Sequence, residues 1–209
     1  MRPTRVKICG VNSPAAMDAA CAGGADYIGF VFAQGSPRAL TPPMAEALSA
    51  RHPGGPLRVG LFVAPTERQI EDALDAVPLD ILQLYTDAAR AAELRAIFGM
   101  TVWRAVAVTG TADLPPEGEA IDGYVIEAAA PAGAAMPGGN AAHLDPSLLR
   151  GWHAPLPWLL AGGLTPANVG AALAACDADG VDVSSGVEIT RGVKDPELIR
   201  AFIGAARSR

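Results

Sequence analysis

The chain has 209 residues, of which 50% are hydrophobic and 18% are charged, with a formal net charge of −6 at pH 7 and a pI near 5.0. This acidic balance argues against nucleic acid or an anionic membrane as a partner, because both require a basic face. The three cysteines lack the spacing of a disulfide framework or a zinc site, and no apolar run is long enough to cross a membrane, so we expect a reduced, cytoplasmic protein.

Short apolar runs rich in Val, Ile and Phe alternate along the chain with Ala-rich stretches, a pattern typical of strands alternating with helices. The predicted strands are Arg5–Cys9, Tyr27–Phe32, Arg58–Val63, Ile81–Tyr85, Thr101–Val108, Gly123–Ala128, Trp158–Ala161 and Gly180–Ser184. The predicted helices are Pro14–Ala22, Pro42–Arg51, Glu67–Ala76, Asp87–Phe98, Pro166–Cys176 and Pro196–Ala206. Four of these helices begin with a capping residue followed by proline, at Ser13, Thr41, Thr165 and Asp195.

Alternating strands and helices indicate a parallel sheet with crossover helices, and the count of eight strands favours a closed barrel over an open sheet. The sequence therefore predicts one (β/α)8 barrel domain over residues 1–209. The helices after strands 5 and 6 are expected to be weak or missing, because Gly110–Glu119 and Ala129–Ala142 are rich in Gly, Pro or Ala. We also expect Ala129–Ala142 to be mobile without ligand and to close over the site.

Strands 7 and 8 both end in small residues, which leave backbone N–H groups uncovered at one rim of the barrel. These residues are Gly162, Gly163, Ser184, Ser185 and Gly186. The loops after strands 7 and 8 of a (β/α)8 barrel form its usual phosphate site. The pattern therefore predicts a phosphorylated small molecule as the ligand.

Four other side chains lie where a barrel places its chemistry, at or near the ends of strands. Cys9 ends strand 1, and it is either a base or nucleophile or a small buried hydrophobe. Arg38 follows strand 2, and its planar fork suits a carboxylate or phosphate unless it is a solvated loop residue. Glu127 near the end of strand 6 is a candidate acid or base, or a charge facing water. Asp182, inside strand 8, requires either a structural partner or a function.

Several motifs, in this order, resemble the phosphoribosylanthranilate isomerase family of tryptophan biosynthesis over nearly the whole chain. They are Val6-Lys7-Ile8-Cys9-Gly10, Ala25–Phe32 with Ser36-Pro37-Arg38, Leu82-Gln83-Leu84, Leu160–Leu164 with Pro166 and Asn168, and Asp182–Glu188 with Gly192–Asp195. The resemblance implies a cytoplasmic (β/α)8 barrel without cofactor or metal. It implies an Amadori rearrangement of N-(5′-phosphoribosyl)anthranilate to an aminoketose phosphate.

The same resemblance implies a role for each candidate. Cys9 corresponds to the general base, Glu127 to the general acid and Arg38 to the residue facing the anthranilate carboxylate. Asp182, Gly162, Gly163, Ser184, Ser185 and Gly186 correspond to the substrate- and phosphate-binding side of the site. The expected oligomeric state is a monomer or a weak homodimer.

Two departures from the family pattern make this a divergent member. The acid position holds Glu127 where the family has Asp, and Tyr85-Thr86 stands where the family has His-Gly. A methylene that moves a catalytic group by about 1 Å can cost on the order of a hundredfold in rate. The alternatives are thus an active isomerase, a paralogous barrel acting on a different phosphorylated sugar, or a protein that binds such a compound without isomerase activity.

Overall fold

A computed structural model describes residues 3–131, 133–134, 137–138 and 142–208. Eight parallel strands pair in chain order and close into a barrel where β1 pairs with β8. The strands are β1 (Arg5–Cys9), β2 (Tyr27–Val31), β3 (Leu57–Val63), β4 (Ile81–Tyr85), β5 (Thr101–Val108), β6 (Gly123–Ala128), β7 (Trp158–Leu160) and β8 (Gly180–Val183). The predicted barrel is confirmed, and each predicted strand end lies within one residue of the observed one.

Within the described residues, six α-helices surround the barrel, which is the predicted number. They are α1 (Pro14–Gly23), α2 (Pro42–Ser49), α3 (Glu67–Ala76), α4 (Ala88–Phe98), α5 (Val169–Ala175) and α6 (Pro196–Arg207). In the described part of the chain, only short 3-10 turns, at Thr111–Asp113 and Pro146–Leu149, follow β5 and β6. Part of Ala129–Ala142 lies outside the described residues, so its expected mobility stays a prediction.

One structural feature was not predicted, a small antiparallel hairpin between β8 and α6. It consists of β9 (Glu188–Thr190) and β10 (Val193–Lys194), and it follows a 3-10 turn at Ser185–Val187. The hairpin carries Glu188 and Lys194 to the same end of the barrel as the strand ends that hold the site.

The predicted helix starts have different outcomes. Ser13 and Asp195 cap their helices through their side chains, as expected, whereas Thr41 makes no side-chain capping bond. The start at Thr165-Pro166 is wrong, because α5 begins at Val169. Asn168 accepts a hydrogen bond from Thr165 N (2.7 Å) and donates one to Gly163 O (3.0 Å), and these bonds hold the preceding residues in a turn.

Apolar side chains fill both ends of the barrel interior. Tyr27, Val59 and Ile81 pack together at the N-terminal ends of their strands, with Trp103 against them. Cys9, Val31, Ala33 and Leu61 form a second cluster at the C-terminal end, with Val63 and Tyr85 against it. Such layers of inward side chains make a packed core rather than a pore. Two polar residues of the strands, Lys7 on β1 and Gln83 on β4, are fully buried as well.

An aspartate directly precedes each even-numbered strand and ties it to the odd-numbered strand before it. Asp26, Asp80, Asp122 and Asp179 accept hydrogen bonds of 2.7–2.9 Å from the backbone N–H of Val6, Arg58, Val102 and Trp158. Each aspartate also donates its own backbone N–H to the carbonyl of that same residue. We call each pair of hydrogen bonds an aspartate clamp. The clamps fix the start of each strand pair at the N-terminal end of the barrel.

We expect Asp80→Ala to lower the free energy of unfolding by about 1–3 kcal/mol, because it leaves the Arg58 N–H without its carboxylate acceptor. Chemical denaturation monitored by circular dichroism measures this loss. Asp177→Ala is the matched control, since Asp177 is an exposed aspartate at a similar place between α5 and β8, and it should change stability by less than about 0.5 kcal/mol. Equal effects of the two substitutions would contradict the clamp.

Candidate active site

A single pocket at the C-terminal ends of the strands brings together all nine residues singled out from the sequence. Cys9, Arg38, Glu127, Gly162, Gly163, Asp182, Ser184, Ser185 and Gly186 all line it. Other lining residues, which were not singled out as site residues, include Val31, Leu61, Val63, Tyr85 and Gly138. The pocket therefore has an apolar floor, acidic and thiol side chains on its walls and a small-residue rim after β7 and β8.

The two glycine-containing loops pack so closely that larger residues would not fit. A Cβ on Gly186 would lie 1.7 Å from the Leu164 carbonyl oxygen, so the loop after β8 rests directly on the loop after β7. Gly162 and Gly163 have φ of +91° and +67°, which L side chains rarely adopt. A Cβ on Gly163 would also lie 2.5 Å from His143 Nδ1. Backbone groups rather than side chains thus form this rim.

Glu127 is 6% exposed near the end of β6. Burial raises its pKa to about 7, and a hydrogen bond from the Tyr85 hydroxyl partly opposes that rise. Its Oε1 atom is buried and has no hydrogen-bond partner among the described residues. The alternative that Glu127 is a strand-end charge facing water is therefore wrong. A carboxyl with this pKa is protonated in a large fraction of molecules at neutral pH, as a general acid requires.

Tyr85, at the end of β4, is a site residue that the sequence analysis noted only as a departure from the family. Burial, followed by the negative charge of Glu127, raises the pKa of Tyr85 well above its usual value, so its hydroxyl stays protonated as a donor. A Cβ on Gly138 would lie 2.3 Å from the Tyr85 hydroxyl and 3.0 Å from Glu127 Oε1. Gly138 therefore lies directly against this pair.

Cys9 lies beside a buried ion pair that accounts for Asp182. Lys7 is fully buried, and its Nζ donates to Asp182 Oδ1 at 3.0 Å. Burial raises the pKa of the Cys9 thiol, whereas the positive charge of Lys7 lowers it. Of the two alternatives for Asp182, a structural partner or a function, the structure shows the partner, which is Lys7. Asp182 also lines the pocket. Lys7 was not among the predicted site residues, although its spacing of two residues from Cys9 places both on the same face of β1.

Arg38 is 5% exposed, so the alternative of a solvated loop arginine is wrong. Its Nε and Nη2 donate to the two carboxylate oxygens of Glu188 at 2.7 and 2.9 Å. Glu188 also accepts from Lys194 Nζ (2.7 Å), and despite its burial these hydrogen bonds lower the pKa of Glu188 to about 2. A Cβ on Gly10 would lie 2.5 Å from Arg38 Cδ, so the glycine after Cys9 makes room for the arginine.

The described residues also bear on metal binding, membrane insertion and disulfides. Among residues 3–131, 133–134, 137–138 and 142–208, no cluster of three or more His, Cys, Asp or Glu side chains could hold a metal ion. In the same described residues, no helix has the length and apolar character needed to cross a membrane. All three cysteines are described, and none forms a disulfide.

The fold and the pocket define a (β/α)8-barrel protein with a thiol, a buried carboxyl of raised pKa and a backbone rim after β7 and β8. The family model described as N-(5′-phosphoribosyl)anthranilate (PRA) isomerase matches residues 6–205. N-(5′-phosphoribosyl)anthranilate isomerases of Acidiphilium cryptum and Granulibacter bethesdensis are 50% and 46% identical to this chain, each over 98% of both chains. The chain belongs to the N-(5′-phosphoribosyl)anthranilate isomerase family.

Solved structures agree with this assignment. A phosphoribosylanthranilate isomerase in complex with reduced 1-(o-carboxyphenylamino)-1-deoxyribulose 5-phosphate has a TM-score of 0.82 and 29% identity, covering 99% of this chain and 100% of that one. The enzyme from Thermus thermophilus has a TM-score of 0.84 and 28% identity, over 97% and 98% of the two chains. Monomers of the dimeric enzyme from Thermotoga maritima have a TM-score of 0.83 and 30% identity, over 99% and 100%. These relatives favour the isomerase over a paralogue with another sugar phosphate.

The raised pKa of Glu127 predicts that this carboxyl destabilises the folded protein at neutral and alkaline pH. The group is neutral in both states below its ordinary value of 4.5, so the folded protein has its full stability there. Stability should fall as pH rises from 4.5 to about 7, by up to about 3 kcal/mol from this one group, and stay low above that. We therefore expect Glu127→Gln to raise the free energy of unfolding at pH 8.

Urea denaturation at pH 4.5 and at pH 8 measures this effect as the difference between the variant and the wild type. The difference should be small at pH 4.5 and favour Glu127→Gln by about 1–3 kcal/mol at pH 8. Glu46→Gln, at an exposed position of α2, is the control and should show no such dependence. A Glu127→Gln variant that is no more stable at pH 8 than at pH 4.5, relative to the wild type, would contradict the buried acid.

Proposed function

We propose that this protein isomerises N-(5′-phosphoribosyl)anthranilate to the corresponding carboxyphenylamino deoxyribulose phosphate in tryptophan biosynthesis, with Glu127 as acid and Cys9 as base. One observation carries the proposal: a buried carboxyl with a pKa of about 7 and a thiol line the same pocket, above a rim of exposed backbone. The reaction requires two proton transfers at neighbouring atoms of a phosphorylated sugar, and these groups match that need.

The acid acts first. Protonated Glu127 gives its proton to the furanose ring oxygen, the bond between that oxygen and C1′ breaks, and the ring opens to a Schiff base. Oε1 suits this step, because it is buried, lines the pocket and has no hydrogen-bond partner among the described residues. The Tyr85 hydroxyl stabilises the carboxylate that remains after the proton has left.

The base acts second. The Cys9 sulfur removes the proton from C2′, and the electrons of that C–H bond move towards the Schiff-base nitrogen to give an enol. The enol then tautomerises to the ketone, so no redox cofactor or metal enters the sequence of steps. A thiol can do this only as a thiolate, and burial opposes that form. The groups around Cys9 must therefore favour its negative charge.

The two charged ends of the substrate have separate places in this arrangement. The phosphate rests on backbone N–H groups of Gly162, Gly163, Ser184, Ser185 and Gly186, a type of anion site that depends on the absence of side chains. Arg38 faces the anthranilate carboxylate. Its ion pair with Glu188 holds the guanidinium plane in one orientation, which limits the entropy lost when the substrate binds. Asp182 contacts the substrate from β8.

The chain acts as one domain over residues 1–209, in the cytoplasm, as a monomer or a weak homodimer. The cytoplasm is supported by the absence of disulfides among its three cysteines and by the phosphorylated substrate. The enzyme of Thermotoga maritima is described as dimeric. Sedimentation velocity at micromolar concentration measures the oligomeric state of this chain directly.

Wild-type protein should complement a tryptophan auxotroph that lacks phosphoribosylanthranilate isomerase, and Cys9→Ser should not. A serine hydroxyl is a far weaker base than a thiolate, so kcat of the purified variant should fall by at least about a hundredfold. Cys21→Ser, on the outer helix α1, is the control and should complement. Failure of the folded wild type to complement would count against the isomerase, and activity in Cys9→Ser would remove Cys9 as the base.

Gly186→Ala should raise KM for the substrate by about tenfold or more, because the added Cβ forces the loop after β8 away from Leu164 O and misplaces the phosphate donors. Steady-state kinetics and competition by inorganic phosphate measure the effect. Gly170→Ala is the control, since a Cβ at that helical glycine meets nothing within 4 Å. An unchanged KM in folded Gly186→Ala would contradict the backbone phosphate site.

A further inference from the structure

The closure of the barrel places Lys7 and Asp182 on neighbouring strands in direct register. β1 pairs with β8 so that Lys7 lies opposite Asp182, and the two side chains meet at 3.0 Å on the inner face. Lys7 is 0% exposed and Asp182 is 7% exposed. A buried ammonium is costly unless it is paired, so Asp182 keeps Lys7 charged and fixes its position.

Cys9 shares this inner face, because it is two residues beyond Lys7 on β1. β2 places Gly29 opposite Cys9, where any other residue would put a side chain. A Cβ on Gly29 would lie 3.0 Å from Cys9 Sγ and 3.2 Å from Lys7 Nζ. The sulfur and the ammonium thus both border the space above Gly29, and the positive charge of Lys7 lowers the pKa of the Cys9 thiol.

Other charged or titratable groups also surround Cys9. Lys194 on β10 and Asp182 on β8 act on it through their charges, and Tyr85 on β4 lies close enough to be affected by it. Lys194 is committed elsewhere, because its Nζ donates to Ser184 O (2.8 Å) and to Glu188 Oε1 (2.7 Å). Among the described residues, Lys7 is therefore the cation that borders the sulfur on the same face of β1 and acts on it more strongly than Lys194 does.

We propose that Lys7, held in place by Asp182, is the positioning residue that stabilises the Cys9 thiolate in the pocket. The inference rests on the proposed function in that it gives this thiolate the role of base. Asp182, Lys7 and Cys9 form a line in which the carboxylate orients the ammonium and the ammonium stabilises the sulfur. No proton leaves Lys7 in this scheme, since the ammonium acts on the sulfur through its positive charge.

The pH dependence of Cys9 alkylation by iodoacetamide tests the proposal without relying on isomerase activity. Peptide-resolved mass spectrometry separates Cys9 from Cys21 and Cys176, and the midpoint of the rate against pH reports the thiolate. Lys7→Met should raise that midpoint, and below it each unit of rise slows alkylation about tenfold. Asp182→Asn should lower the midpoint, because it removes a negative charge near the sulfur.

The double variant Lys7→Met/Asp182→Asn decides between this role and a purely structural one. It leaves no unpaired buried charge, so it should fold even where Lys7→Met does not. Lys7 acts on Cys9 more strongly than Asp182 does, so the midpoint should still lie above that of the wild type, though below that of Lys7→Met. Lys194→Met, the control at a second buried lysine, should raise the midpoint less than Lys7→Met.

Two results would overturn the proposal. One is a double variant whose Cys9 midpoint equals that of the wild type, since that would make Lys7 only a partner for Asp182. The other is a larger rise in Lys194→Met than in Lys7→Met. Failure of the proposed function is a separate outcome. Isomerase activity retained in Cys9→Ser would remove Cys9 as the base, but it would not change the order of the alkylation midpoints among the lysine and aspartate variants.

Discussion

The pairing of β1 with β8 is the constraint on which the site depends. It joins the two ends of the sheet, and in doing so it sets Lys7 opposite Asp182. A shift of one residue in this register would turn one of the two side chains towards the helices and leave a buried charge without a partner. The ion pair therefore specifies the register that closes the barrel. The same register places Cys9 at the strand end, in the same pocket as the small residues that follow β8.

Burial acts on the Glu127 carboxyl and the Cys9 thiol in the same way but with opposite consequences for their proposed roles. Burial favours the neutral form of each, which raises the pKa of Glu127 to about 7 and raises the pKa of Cys9 as well. In the proposed reaction the neutral form of Glu127 is its working form, so burial in an apolar pocket suffices for it. The proposed role of Cys9 requires the thiolate, which burial disfavours, so Cys9 requires a nearby cation. One pocket can serve both groups because Lys7 lies two residues from Cys9 on the same face of β1.

Much of this arrangement could be predicted from local sequence, because the signals lie within a few residues of each other. Apolar runs predicted the strands, and Cys9, Glu127 and Gly162 were found because they lie at or next to the ends of those runs. The aspartates before the even-numbered strands, such as Asp26 and Asp80, are an equally local signal that was overlooked. The partners of Arg38 and Asp182 could not be found in this way, because Glu188 and Lys7 are separated from them by 150 and 175 residues in sequence.

The start of α5 shows a second limit of local reasoning. Thr165 followed by Pro166 has the composition of a helix start, yet the Asn168 side chain bonds the backbone of Thr165 and Gly163 instead. Side-chain amides compete with helix formation by offering the backbone such local hydrogen bonds. Here the Asn168 bonds shape the loop after β7, and the Leu164 carbonyl of that loop lies directly against Gly186 in the loop after β8. The residues that shorten the helix are thus those that shape the rim.

Glu127, the proposed acid, illustrates how neighbouring residues can accommodate a longer side chain. Compared with the aspartate of the family pattern, glutamate has one more rotatable bond and therefore more freedom to lose. The Tyr85 hydroxyl and the Glu127 carboxyl both lie against Gly138, and this close packing restricts that freedom. A residue with a Cβ at Gly138 would displace the Tyr85 hydroxyl, so the glycine and the tyrosine depend on each other. The position of the Glu127 carboxyl consequently depends on three residues from three separate segments, which no single sequence motif contains.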